Sequence, residues 1–237
     1  MNFKKGEVLY FKKPLKWTSF TLVDRVRSQL YKKLGVKKLK VGHAGTLDPL
    51  ASGVMILCVG KATKRIGEFQ YQTKEYIATL CLGATTASFD LEEEIDATYP
   101  VEHISRELAE EKLQQFVGRI EQIPPAFSAC KVDGKRAYKL ARAGEKVELQ
   151  PKILVIDEIE LLSYDLPYIR IRVVCSKGTY IRALARDIGE ALESGAHLVE
   201  LIRTRVGEVT LDQCMTIEDF PAWLDQQEIE DLEETNK

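Results

Sequence analysis

The sequence has no long hydrophobic run. Its longest wholly apolar stretch is Val54 to Val59, against the roughly 20 residues that cross a bilayer. The opening MNFKKGEVLYFKK lacks the apolar core and small-residue cleavage site of a secretory leader, so a cytoplasmic address is expected. Cysteine is sparse, five in 237 residues with an odd total and no C-x-x-C pair. That argues against a disulfide-stapled scaffold and for reduced, packed thiols. Histidine is scarcer still: His43, His103 and His197 lie far apart, without the clustering that a metal site needs. No repeat of 20–50 residues and no low-complexity linker occurs, which argues against repeat architectures.

What is present suits a globular enzyme: 45% hydrophobic and 30% charged residues, in a chain long enough to bury a core without staples. The net charge of −2 hides a segregation. Residues 1–40 carry twelve Lys or Arg against Glu7 and Asp24. Residues 90–111 carry nine acids against Arg106, and residues 218–237 eight acids against Lys237. Further bases lie at 131–142 and at Arg170, Arg172, Lys177, Arg182 and Arg186. Such segregation can give a basic face for a polyanion, or a set of solvated helix faces.

Strand and helix patterns alternate. Glu7 to Phe11 reads as a strand, and Ser19 as the N-cap of a helix carrying Leu22, Val23, Val26 and Leu30. Val54 to Val59 reads as a strand buried on both faces, and Ala62 to Phe69 as helix. Tyr76 to Leu82 alternates, with Tyr76, Ala78, Leu80 and Leu82 on one face. Ser105 caps a helix reaching Val117, and Ala126 to Val132 is a strand before the Asp133-Gly134 turn. Ile153 to Leu162 and Tyr168 to Cys175 form a hairpin around Pro167. Thr179 to Leu192 is an amphipathic helix with Gly195 near its end, and Leu198 to Val206 returns as strand. Irregular mixing of strands and helices predicts an α+β fold. One catalytic domain is expected over 1–216, followed by a short helix and an acidic tail over 217–237.

The segment GHAGTLDPLASG, Gly42 to Gly53, holds a single acid, Asp48, among glycines and small residues. Pro49 biases Asp48 toward an extended or turn conformation, and the glycines, Gly45 among them, allow close approach of a ligand. Asp48 is either an ordinary turn former or a carboxylate placed to react.

With the strand that follows it, GHAGTLDPLASGVMILCVGKATK resembles the signature of the TruB family of tRNA pseudouridine synthases, whose motif aspartate is the nucleophile. KKPLKWTSF, KEYIATLCLG, IPPAFSACKVDGKRAYKLARAGE, CSKGTYIRALARDIGE and GAHLVELIRTRVGEV resemble further family segments in the same order, covering Lys13 to Val209. The resemblance implies a pseudouridine synthase fold, a bent, mixed, mainly antiparallel sheet flanked by helices with a central catalytic cleft. It also implies isomerisation of the T-loop uridine of tRNA (uridine-55) by base flipping. Two departures stand out. The family's first motif reads D-K-P-x-G-x-T-S, and here Lys12 and Lys16 replace its Asp and Gly, so altered RNA contacts or loop shape are expected. Many members also carry a C-terminal PUA domain, and this sequence is expected to lack one.

Residue by residue, the resemblance makes Asp48 the nucleophile and Arg182 its cationic partner, which would lower the carboxyl pKa by about 1–3 units. It makes Tyr76 the aromatic that stacks on the flipped uracil, with its hydroxyl available for the final proton removal; such stacking is worth roughly 1–3 kcal/mol. His43 supports the everted loop bases, Leu201 lines the pocket, and Gly45, Lys177 and Tyr180 complete the substrate-binding set. Lys13 to Lys16 and Lys131 to Arg142 are weaker choices for backbone grip. For Arg182 the alternative is a surface pair with Asp187; for Tyr76 and Leu201 it is core packing. The reaction needs no metal, cofactor, membrane or protein partner, and a monomer is expected. Rival readings are a tRNA-folding chaperone that opens the T arm, the catalytic subunit of a guide-RNA particle, and a nucleosidase releasing uracil.

Overall fold

The computed structural model describes residues 1–128, 130–132, 134–145 and 147–230. Along the chain come β1 (Glu7–Lys13), α1 (Ser19–Leu34), β2 (Val41–His43), β3 (Ala51–Val59), a 3-10 turn (Gly60–Arg65) and α2 (Ile66–Gln70). Next are β4 (Lys74–Leu82), β5 (Ala84–Thr86), β6 (Ile95–Thr98), α3 (Arg106–Gln114), β7 (Gly118–Gln122), β8 (Lys131–Val132), β9 (Lys135–Arg136) and α4 (Ala137–Arg142). β10 (Lys152–Asp165), β11 (Tyr168–Cys175), α5 (Ile181–Ala191), β12 (Ala196–Val206), β13 (Val209–Thr210) and α6 (Phe220–Asp225) follow. The fold is α+β as expected, and its strand pairing is mainly antiparallel. Two compact units are distinguished: residues 1–74 with 202–237, and residues 75–201.

In the first unit β1 and β2 both pair antiparallel with β3, from Glu7↔Val59 to Lys13↔Gly53 and from Val41↔Val59 to His43↔Leu57. β3 is buried almost throughout, so it reads as a continuous apolar run. Val54 and Ile56 pack with Ala44, Val206 and Val209, and Tyr10, Phe69 and Leu211 cover this cluster. Each such aliphatic side chain contributes roughly 1.5–3 kcal/mol by leaving water. A parallel bridge joins Phe11 to Met215, and Phe220 of α6 meets the Phe11 ring edge-on at 5.2 Å.

Helix α1 starts one residue earlier than expected. Thr18, not Ser19, is its N-cap and accepts the Thr21 amide at 3.0 Å; Ser19 is turned inward. Gly35 closes the helix at φ +64°, a left-handed geometry that favours glycine.

The second unit has the strand order β12-β4-β11-β10-β7, where β12 contributes its residues up to Leu201. The β10–β11 hairpin closes at Asp165↔Tyr168 through a cis Leu166–Pro167 bond, so the expected turn at Pro167 is present. β4 alternates as expected, with Tyr76, Ala78, Leu80 and Leu82 buried. Ser105 caps α3 by accepting the Leu108 amide at 3.1 Å, but the helix stops at Gln114, short of Val117. The strand expected over 126–132 reduces to β8, since 126–128 form bends; Ala129 and Asp133 lie outside the described residues. α5 buries Ile181, Leu184, Ala185 and Ile188, as its periodicity predicts. The short helix expected after residue 216 is α6. Residues 231–237, where the acidic tail was expected to fray, lie outside the described residues.

All five cysteines are free thiols. No helix among the described residues is long and apolar enough to cross a membrane.

Candidate active site

Asp48 sits on the loop between β2 and β3, and that loop is held by its surroundings rather than by regular pairing. Ala51 donates its amide to the Asp48 carbonyl at 3.0 Å, a turn with Pro49 at its second position, where a fixed φ fits. Lys16 donates its amide to the Pro49 carbonyl at 2.7 Å. The buried Ser19 hydroxyl donates to the Leu47 carbonyl and accepts the Leu47 amide, both at 2.9 Å. The carboxylate itself is half-buried.

Two buried cations stand behind this loop: Arg203, which was not singled out in the sequence, and Lys13, which was expected to grip the RNA backbone. Arg203 is only 1% exposed. Its guanidinium donates to the carbonyls of Val54 at 2.8 Å, Gly45 at 3.2 Å and Thr46 at 3.5 Å. It thereby spans the loop and the strand after it. Lys13 is fully buried and donates to the carbonyls of Pro14 at 2.8 Å and Trp17 at 2.6 Å. Burial pushes its ammonium down to about 8, against the pull of the Asp48 charge and with the repulsion of Arg203. Lys13 is therefore an internal cation, not the surface grip expected of it. Its signal was legible: period two in β1 places it on the face of Leu9 and Phe11. Arg203 shows the same signal two residues after buried Leu201.

Gly53, with φ +115°, comes so near the Arg203 backbone that a Cβ there would lie 2.2 Å from the Arg203 carbonyl oxygen, so only glycine fits. Lys16, which replaces the family's glycine, has φ +67°. The left-handed shape natural to glycine is thus kept by a residue that is strained in it. His43 ends β2, and its Nδ1 is buried without a hydrogen-bond partner. Burial first, then Arg203, lower its pKa below the ordinary histidine value, while a backbone bond at Gly45 opposes them. His43, Gly45 and Asp48 are thus brought together in the first unit.

The other expected residues belong to the second unit. Tyr76 lies on the buried face of β4 and is 8% exposed. Leu201 is buried on β12, the neighbour of β4 in the sheet. Arg182 occupies the first turn of α5 and is 4% exposed. It donates to the carbonyls of Ser88 at 3.1 Å and Phe127 at 2.9 Å, and its Nε stands 3.5 Å from the Asp90 carboxylate. Arg182 is thus buried rather than the surface helix residue of the alternative reading, and Asp187 is held by Arg186 at 2.6 Å. Tyr180 immediately precedes α5 and is fixed by buried Gln122, which accepts the Tyr180 amide at 2.9 Å and donates to its carbonyl at 3.2 Å. Lys177 is exposed on the turn before it.

Not all the expected basic residues are open to a polyanion. Arg172 is engaged by Glu75 at 2.9 Å and Glu158 at 2.7 Å, and Arg170 lies 3.6 Å from Glu200. Arg142 pairs with Glu92. Lys139 and Arg136 are exposed.

Residues 32–181 match the model of the TruB family pseudouridylate synthase (N terminal domain), and residues 182–235 that of the tRNA pseudouridylate synthase B C-terminal domain. A tRNA pseudouridine synthase B of Phocaeicola vulgatus is 77% identical over 232 residues, 98% of this chain and 99% of the relative. The protein of that name from Bacteroides thetaiotaomicron is 72% identical over 240 residues, 100% of both. Among solved structures, a Cbf5-Nop10-Gar1 complex contains a chain that superposes with a TM-score of 0.71 at 28% identity. The match covers 97% of this chain and 59% of that one.

Proposed function

The chain belongs to the TruB family of pseudouridylate synthases, and from that premise we propose that it isomerises the T-loop uridine of tRNA to pseudouridine with Asp48 as nucleophile. The observation that carries the reading is a half-buried aspartate on a loop fixed by Ser19, Lys16 and Arg203, within a sequence 77% identical to a tRNA pseudouridine synthase B.

The reaction breaks the bond from ribose C1′ to base N1 and forms one from C1′ to C5. The C5 proton leaves and N1 regains one, so atoms and electrons balance without oxidant, donor or metal. A carboxylate is a competent covalent nucleophile, and flipping a loop nucleotide out costs only about a few kcal/mol. Preorganisation supplies the rest, since a loop already tied down needs no rearrangement when charge develops. Tyr76 is assigned the stacking role and the final proton removal, Arg182 the compensating positive charge, and Leu201 the apolar wall. His43 and Gly45 support the displaced bases. Lys177 and Tyr180 are assigned phosphate contact and support of the α5 start. We assign catalysis to residues 1–216, acting in the cytoplasm as a monomer without cofactor or protein partner.

The test is incubation of the protein with an unmodified T-arm stem-loop, followed by mapping of pseudouridine. Isomerised RNA of unchanged mass is expected, and none with Asp48→Asn. Free uracil would replace the reading with a nucleosidase. Isomerisation at the parent rate by the Asn variant would remove Asp48 from the chemistry.

A further inference from the structure

We propose that the first unit carries a second RNA-contacting surface, a lysine-rich face at the end of β3 remote from Asp48, which takes tRNA phosphates outside the isomerised loop. The inference rests on tRNA being the substrate, and adds where else on the protein that substrate is held.

Three segments meet around Gly60. Its amide donates to the Lys40 carbonyl at 2.8 Å, and the Lys61 amide to the Lys4 carbonyl at 3.4 Å. A Cβ on Gly60 would lie 2.0 Å from the Phe3 carbonyl oxygen, so the backbones are in direct contact. Glu7 and Val41 both pair with Val59, which brings the starts of β1 and β2 to the same place. Residues 1–6, 35–40 and 60–65 together hold eight Lys or Arg and no Asp or Glu, in a protein whose net charge is −2. Lys5, Lys40, Lys61 and Lys64 are all exposed. Carboxylates stand at the rim: Glu7 accepts the Asn2 amide at 2.7 Å, Glu68 is paired at 3.0 Å by Arg65 of the face itself, and Glu230 lies beside Met1 and Asn2, so Arg65 is not among the cations of the face left for a polyanion. So dense a run of one sign concentrates polyanions.

The face is far from the chemistry. Asp48 is tied to the first residue of β3 through the Ala51 amide, and the lysines gather past its last. At about 3.3 Å per residue the nine-residue strand separates them by about 25 Å. A phosphate held there belongs to a nucleotide well removed from the target uridine. The aromatic residue in these segments, Phe3, is fully buried, so no base can stack. The face grips the RNA backbone alone, and is blind to sequence.

The test replaces Lys5, Lys40, Lys61 and Lys64 together with Gln, and measures binding of full-length tRNA and of the isolated T-arm stem-loop across a salt series. The variant is expected to bind full-length tRNA at least about tenfold more weakly at low salt. Its salt slope should be shallower by about one for each phosphate that is no longer neutralised. Affinity for the stem-loop, and turnover on it, should stay at the parent values. The fourfold Lys→Arg variant should bind both RNAs like the parent. Unchanged tRNA affinity in the Gln variant, an equal loss on the stem-loop, or a loss in the Arg variant would overturn the proposal. Failure of the parent to form pseudouridine would instead refute the reading of its activity, with the binding comparison still deciding this one.

Discussion

The residues assigned to catalysis are supported in opposite ways in the two units. Asp48 stands on irregular chain whose shape comes from side chains bonding to backbone: Ser19 to Leu47, and Arg203 to Gly45, Thr46 and Val54. Tyr76 and Arg182 stand on a strand and a helix, whose own hydrogen bonds fix them. A loop has few internal bonds, so its precision must be imported through long polar side chains that lose water on burial. A strand or helix brings its backbone precision with it, although the Arg182 guanidinium also leans on the Ser88 and Phe127 carbonyls. Irregular backbone thus leaves its carboxylate adjustable in sequence but dependent on a few supports.

The largest effect that this contrast predicts is at Arg203. Arg203→Met should leave the buried Val54 carbonyl and the half-buried Gly45 carbonyl without this donor, at about 1–3 kcal/mol each before relaxation, so urea unfolding should show a loss of about 2 kcal/mol or more. A loss below about 1 kcal/mol would mean that the loop holds its own shape. Next comes Arg182→Lys, which keeps the charge but loses the fork that reaches Ser88 and Phe127. Turnover should fall by about a hundredfold, equivalent to about 2.7 kcal/mol of barrier, with RNA affinity little changed and a loss of stability smaller than that of Arg203→Met. A large fall in melting temperature would make the second unit as support-dependent as the first.

Lys13 predicts a smaller, pH-graded effect. Its ammonium titrates at about 8 in the folded protein, chiefly through burial, and near 10.4 when unfolded. Between those values the unfolded chain binds the extra proton, so stability contributed by this site rises with pH, by at most about 1.4 kcal/mol per unit. Denaturation of the parent and of Lys13→Met between pH 7.5 and 10 should differ by that slope, and parallel curves would refute it. The smallest effect belongs to Lys16→Gly, which relieves the φ of +67° and should stabilise by about 1 kcal/mol or less, read as a rise in denaturation midpoint. A fall would show that the Lys16 side chain holds the turn.

Legibility in the sequence follows the same division. The alternation of β4, the inward face of α5 and the Ser105 cap are local and periodic, and the structure has them where pattern places them. What was missed is what joins distant segments. Ser19 looks like a cap because serine before a helix usually is one, yet Thr18 caps the helix and Ser19 reaches across to Leu47. Arg203 and Lys13 carry a legible signal, a cation in phase with buried neighbours, but charge suggested solvent. Asp90, beside Arg182, gave no signal at all within its acidic stretch. Asp48 itself drew notice through its glycine-rich setting, while the bonds that fix it were beyond any local pattern.

The Ser19 hydroxyl both gives its hydrogen to Leu47 and receives one from it. Two fastenings therefore hang on one oxygen, and they hold Leu47, one residue before Asp48. Alanine there would unfasten both in a single step, whereas threonine could retain them if its extra methyl found room. Ser19 thus matters for one atom rather than as a helix start, and the N-terminal helix becomes the hinge post on which the Asp48 loop is hung.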